Sequence, residues 1–276
     1  MASSSHKNRR AREQPNNNHG VLENWFVGNT EAMTTFMHEM SRKQINIPKV
    51  LEFSWMKKER LKESRPVFKH QRLKNFLEMT GNIYPDLIKV FYINLTLDGR
   101  NLDQYVKGIK LTISHEVWNN IAGVKYSGLK VSKGTTTGIQ EFNKIQFYKS
   151  CVRNPAQLVN RFLVDNLNLT PRILAYVIAW KLTPRGSNHD VLHEEDLIML
   201  HCIMNQIKIN WVCIMMEHML KSIKLTDYKF PYAIFVSKLI DYFEVDTTDE
   251  RNKTIKAVSE IDNATLTKMG FQKEET

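Results

Sequence analysis

Cysteine is scarce in this chain: its 276 residues hold three, Cys151, Cys202 and Cys213. An odd, sparse set excludes the disulfide framework of a small secreted fold and reads as small apolar residues in a reduced compartment. No apolar stretch follows the opening Met1-Ala2-Ser3-Ser4-Ser5-His6-Lys7, so no secretory leader is expected. Long hydrophobic runs are absent too. The most apolar region, from Ile173 to Leu220, is broken by Lys181, Arg185, Glu194-Glu195-Asp196, Lys208 and Glu217, short of the ~20 apolar residues that a bilayer helix requires. No membrane partner is expected, and the nucleus or cytoplasm is the expected location.

Motifs that carry chemistry are also missing. There is no Gly-x-Ser-x-Gly elbow, no phosphate loop, no Gly-x-Gly-x-x-Gly, no Cys-x-x-Cys and no Asp-Thr/Ser-Gly. His189 and His193 stand four apart, a spacing that could aim two imidazoles at one metal on a helix. Ser187-Asn188-His189-Asp190 reads instead as a loop, and Glu194-Glu195-Asp196 as the acidic first turn of a helix, where carboxylates meet the positive dipole end. Asp98, Asp103 and Asp165 are candidates for a two-metal nuclease site, which needs more sheet than one hairpin supplies. The sequence therefore nominates no catalytic residue, no metal ligand and no cofactor.

Acidic residues are outnumbered: 29 Asp and Glu face 39 Lys and Arg, a net charge of +10, which favours polyanionic partners. The apolar fraction of 42% is enough for a folded core. Positive charge concentrates in two places. One is the Ser- and Asn-rich N-terminal tail with Arg9, Arg10 and Arg12. The other runs from Lys57 to Lys74, with Lys57, Lys58, Arg60 and Lys62 at its start. Each reads either as a solvated segment or as a phosphate-contacting one; these seven residues are the candidate nucleic-acid contacts.

Periodicity predicts a mainly α fold (α+β). Met33, Phe36, Met37 and Met40 lie at the spacing of one helix face. Pro85-Asp86 starts a short buried helix through Leu95. Leu102 to Ile113 changes to a period of two around Lys107-Gly108, predicting a small antiparallel β-hairpin near residues 102–113. Ser114 caps a helix ending near Gly123. Further helices are predicted over Pro155–Leu167, Pro171–Leu182, His193–Met204, Ile209–Ile223, Pro231–Phe243 and Thr254–Lys268, with Asn205 in a left-handed conformation closing the third. The chain divides into a basic disordered tail (1–28), an N-terminal helical extension with the basic stripe (29–84), a main domain (85–246) and a polar C-terminal segment (247–276).

Several blocks together carry a family resemblance. They are Leu87-Ile88-Lys89-Val90-Phe91-Tyr92-Ile93-Asn94-Leu95, then Val106-Lys107-Gly108-Ile109, Leu182-Thr183-Pro184 with His189 and the apolar helix through Leu200, Ile207-Lys208-Ile209-Asn210, and Phe230-Pro231 with Ile240 and Val245. In this order and spacing they resemble the putative plant transposon protein domain, found in retrotransposon-derived reading frames of plants. That family commonly carries a glycine between the two long apolar helices, where this chain has Asn205-Gln206. The resemblance implies a mobile-element origin in a plant and supplies no catalytic residues.

Three functions remain open. The first is a non-enzymatic protein-interaction or self-association module, with Trp211, Met215, Met216 and Met219 as its contact surface. The alternative is a nucleic-acid-associated basic domain, and the third is a metal-dependent nuclease or transposase with an unrecognised site.

Overall fold

A computed structural model describes residues 23–51, 53, 64–131, 139, 142–254 and 267. It is mainly helical with a little antiparallel sheet. Helix α1 (Thr30–Thr35) is capped by Asn29, whose side chain accepts from Ala32 N, and runs on into a π-turn at Phe36–Met40. The wider turn shifts the face: Phe36 and Met40 are buried, whereas Met37, expected to share their side, is exposed. Two short helices follow, α2 (Ser64–His70) and α3 (Lys74–Leu77), then strand β1 (Asn82–Ile83). Helix α4 (Pro85–Ile93) starts on proline, as predicted, because a first-turn residue needs no amide hydrogen.

The hairpin forms from β3 (Asn101–Val106) and β4 (Ile109–Ile113), with Leu102 opposite Ile113. Strand β2 (Thr96–Asp98), which the sequence reading missed, adds a third member, all of it exposed. The sheet packs on α4 through the buried Gln104, whose amide donates to Val90 O at 2.7 Å and to Phe91 O. Helix α5 (His115–Ala122) has the predicted ends: Ser114 Oγ accepts from Val117 N, and Gly123 closes it in the left-handed region.

Helix α6 (Lys144–Cys151), capped by Asn143 accepting from Ile145 N and Gln146 N, was not predicted. The helix expected over Pro155–Leu167 is absent. That stretch is irregular up to a single 3-10 turn at Val164–Asn166, and Pro155 through Leu158 are exposed, so no core face rewards helix formation. Helix α7 (Leu169–Val177) continues as a π-turn, Ile178–Leu182; α8 (Glu194–Met204), α9 (Trp211–Lys224) and α10 (Ala233–Tyr242) complete the set. The turn after α8 corrects one expectation: Asn205 keeps a negative φ, and Gln206 takes the left-handed conformation at φ 57°. Strand β5 (Lys253–Thr254) pairs with β1, so the predicted helix from Thr254 starts on a strand; its remainder falls almost entirely outside the described residues.

One hydrophobic cluster joins these elements, centred on α4, α8, α9 and α10. Tyr92 stacks on Phe230 at 4.4 Å between centroids, and Trp118 on Phe235 at 4.2 Å. Trp211, Met215, Met216 and Met219 all lie inside this core, with Trp211, Met215 and Met219 at 0% exposure. The contact surface expected from them is therefore not a surface: α9 turns these side chains into the core and leaves Glu217, Lys221 and Lys224 exposed on its outer stripe. Among the described residues no helix is long and apolar enough to cross a membrane.

Candidate functional site

Three segments meet beside the start of α9. Gly128, at φ 108°, permits the contact, since a Cβ there would stand 2.5 Å from Lys208 O. Leu129 N then donates to Lys208 O, and Asn210 N to Leu129 O, both at 2.8 Å. From the turn between α2 and α3, the buried Gln71 locks the same junction. Its amide donates to Ile207 O at 2.6 Å, while its Oε1 accepts from Ile209 N and Trp211 Nε1, both at 3.1 Å. A buried amide that makes three hydrogen bonds of this kind fixes segment positions, because leaving any partner unpaired is costly.

The outer rim of this junction is basic. Lys69, Arg72, Lys125, Lys130 and Lys208 are exposed, as is Arg100 in the β2–β3 turn, and none of the six forms an ion pair among the described residues. Lys74 differs, being held by Glu78 at 3.5 Å. Asp98 and Asp103 flank Arg100 in sequence and Glu78 lies six residues from Arg72; of these, Asp103 pairs with Lys110 and Glu78 with Lys74. Unpaired, solvated cations on one rim retain their charge for an incoming polyanion.

Between Lys125 and Lys130 in the same loop stands half-buried Tyr126. The His115 ring stacks on it at 3.8 Å with a 15° tilt. Cys213 Sγ donates to its Oη at 3.4 Å. Arg100 Cζ and Lys130 Nζ each lie 6.0 Å from its centroid. The arrangement combines an aromatic plane held by its neighbours with positive charge that no carboxylate ties down among the described residues.

A second feature is a cleft of about 190 Å³ between the loop after α7 and helices α8 and α9. Arg185 pairs there with Asp196 at 2.6 Å, and Asp196 also accepts from His193 N at 2.7 Å, closing the α8 N-terminus. His218 gives its Nε2 proton to Pro184 O at 2.8 Å, and burial lowers its pKa to about 4, so the ring is neutral. Glu195, Glu217 and Lys221 also line the cleft, so both signs of charge are present and offset each other. His189 bonds Arg185 O at 2.9 Å in a loop, and His201 sits against Phe142 and Phe147. Among the described residues no three His, Cys, Asp or Glu side chains gather as a metal would require. Asp103 is committed to Lys110 at 2.8 Å, and Asp165 belongs to a separate 3-10 turn.

Of the predicted contacts, Arg9, Arg10, Arg12, Lys57, Lys58, Arg60 and Lys62 lie outside the described residues. The later part of the same basic run, Lys69 and Arg72, falls on the rim. Sequence reading missed Arg100, Lys125, Tyr126, Lys130 and Lys208, which separate segments supply. The one local signal was Lys125-Tyr126-Ser127-Gly128-Leu129-Lys130, basic residues interleaved with an aromatic and a glycine in a loop. Compared with known families, residues 69–246 match the model described as putative plant retrotransposon-related domain. No curated protein and no solved structure matches the chain.

Proposed function

We propose that this chain, which belongs to the putative plant retrotransposon-related domain family, is a non-enzymatic domain that binds nucleic acid through its basic rim. The observation that carries the reading is six exposed cations that form no ion pair among the described residues, two of them, Arg100 and Lys130, 6.0 Å from the ring of Tyr126. Lysine and arginine that neutralise phosphates release condensed counterions, so affinity falls steeply with salt. Arg9, Arg10 and Arg12, with Lys57, Lys58, Arg60 and Lys62, enter the same reading as further phosphate contacts. Family membership supports a transposon-derived origin.

The test is a salt titration of the full chain on labelled oligonucleotides. Changing Lys125, Lys130 and Lys208 to Gln should weaken binding and flatten the log–log salt slope by about 0.7–0.9 for each phosphate no longer neutralised. Parallel variants of the Arg9–Arg12 and Lys57–Lys62 groups apportion the remainder. Equal affinity and slope in wild type and rim variant would remove the rim from the reading.

Self-association is a second reading, supported by exposed Ile145 and Met204 on the adjacent helices α6 and α8. Sedimentation across a hundredfold range of protein concentration tests it. A constant monomer mass rejects it.

A further inference from the structure

We propose that Tyr126 is a stacking platform for unpaired bases, so the rim selects single-stranded nucleic acid, DNA or RNA, over duplex. The inference rests on the nucleic-acid reading above and adds the class of strand.

The plane of the Tyr126 ring is set before any ligand arrives. His115 covers one side in near-parallel contact at 3.8 Å, and Cys213 holds the hydroxyl at 3.4 Å. His115 itself sits at the start of α5, its buried Nε2 without a hydrogen-bond partner among the described residues, so ring contact is what it offers here. The two rings form a short stack that a base can extend. Arg100 and Lys130 stand 6.0 Å from the Tyr126 centroid, the outer limit of useful cation–π attraction. Neither is tied by a carboxylate among the described residues. Both can therefore swing aside for a base and take up the phosphates that flank it. A duplex cannot use this arrangement, because its bases are already stacked on both faces; an unpaired base has a face to give. Stacking depends on a π-face that every base has, so weak sequence preference is expected.

The experiment uses the full chain and fluorescently labelled strands of about 12 nucleotides, within the span such grooves cover. The strands are oligo-dT, oligo-U, an abasic strand with the same phosphates, and a duplex. Wild type should bind both oligo-dT and oligo-U about tenfold tighter than the abasic strand and the duplex. Tyr126→Leu, which keeps apolar bulk without a π-face, should lose about five- to a hundredfold on the two base-bearing strands. It should be unchanged on the abasic strand, and Tyr126→Trp should retain affinity. Equal wild-type affinity for abasic and base-bearing strands overturns the stacking role while leaving the basic rim intact, and needs no variant that might misfold. Preference for the duplex also overturns it. Absence of binding to every strand overturns the underlying reading as well.

Discussion

Lys181 is the residue least expected from its surroundings. It lies in the π-turn after α7 at 6% exposure, its ammonium 5.5 Å from the Phe76 centroid, in a small recess lined by Met79, Trp180, Tyr232 and Phe235. Burial away from water lowers its pKa from 10.5 to about 7. Between those values the unfolded chain binds the proton and the folded one does not, so stability rises as pH climbs from 7 toward 10.5. The full swing corresponds to about 5 kcal/mol. Lys181→Met, similar in volume, should stabilise the protein by about 2–4 kcal/mol near pH 7, with the gain shrinking at higher pH. Urea midpoints of both proteins at several pH values measure this, and a difference independent of pH would contradict it. The sequence marked Lys181 only as a charge interrupting an apolar region. Nothing local distinguishes a buried lysine from a snorkelling one, because Phe76 and Tyr232 arrive from about 100 residues before it and 50 after it. Tyr126 was hidden for the same reason: His115, Arg100 and Cys213 converge on it only after folding.

Elements were legible wherever one segment carried its own end signals. The α4 start at Pro85, the α5 caps at Ser114 and Gly123, and the β3–β4 turn at Lys107-Gly108 are local chemistry, and the structure matches all three. Helix α6 was missed although Asn143 caps it, since only Tyr148 and Cys151 are buried and its apolar pattern is weak. The helix expected over Pro155–Leu167 had the spacing without a partner to bury against. The α8–α9 connection shows how a single residue governs an element's end. Gln206, at φ 57°, occupies the left-handed position after α8, in the turn where the resembled family commonly has glycine. Its neighbour Ile207 N bonds Cys202 O at 2.8 Å, so the turn is held despite the strain. A non-glycine residue costs about 1–2 kcal/mol in that conformation, partly offset by the lower unfolded-state entropy of glutamine. Gln206→Gly should therefore raise stability by about 0.5–1 kcal/mol, read as a higher urea midpoint with unchanged slope. A lower midpoint would mean that the Gln206 side chain contributes more than its backbone costs.

At the scale of the molecule, the family match begins at residue 69, and the packed core extends beyond the match. Phe26, Ala32, Phe36, Met40 and Leu51 share the hydrophobic cluster with α4 and α10. Backbone bonds run from Asn46 N to Phe230 O at 2.8 Å and from Phe230 N to Gln44 O at 2.9 Å, and Lys43 caps α9 by donating to Ser222 O and Leu225 O. At the other end Glu250 accepts from Trp25 Nε1 at 2.9 Å and pairs with Lys107 at 2.6 Å, so both flanks of the matched stretch meet over the hairpin. Burying each of Phe26, Phe36, Met40 and Leu51 contributes about 1.5–3 kcal/mol. Together that is comparable with the about 5–15 kcal/mol by which a whole domain is stable. A fragment of residues 69–246 should consequently lose cooperative urea unfolding, bind a hydrophobic dye and lack near-ultraviolet dichroism, whereas residues 23–254 should match the full chain in all three measurements. An unfolding midpoint in the short fragment equal to that of residues 23–254 would show that the preceding and following segments merely lie on a core that is complete without them. The sequence reading drew its boundary at residue 84 from the basic stripe and Pro85, both local signals. The pairing of residues 44–46 with Phe230 is carried by backbone atoms, which any sequence could supply, and so it left no mark to read.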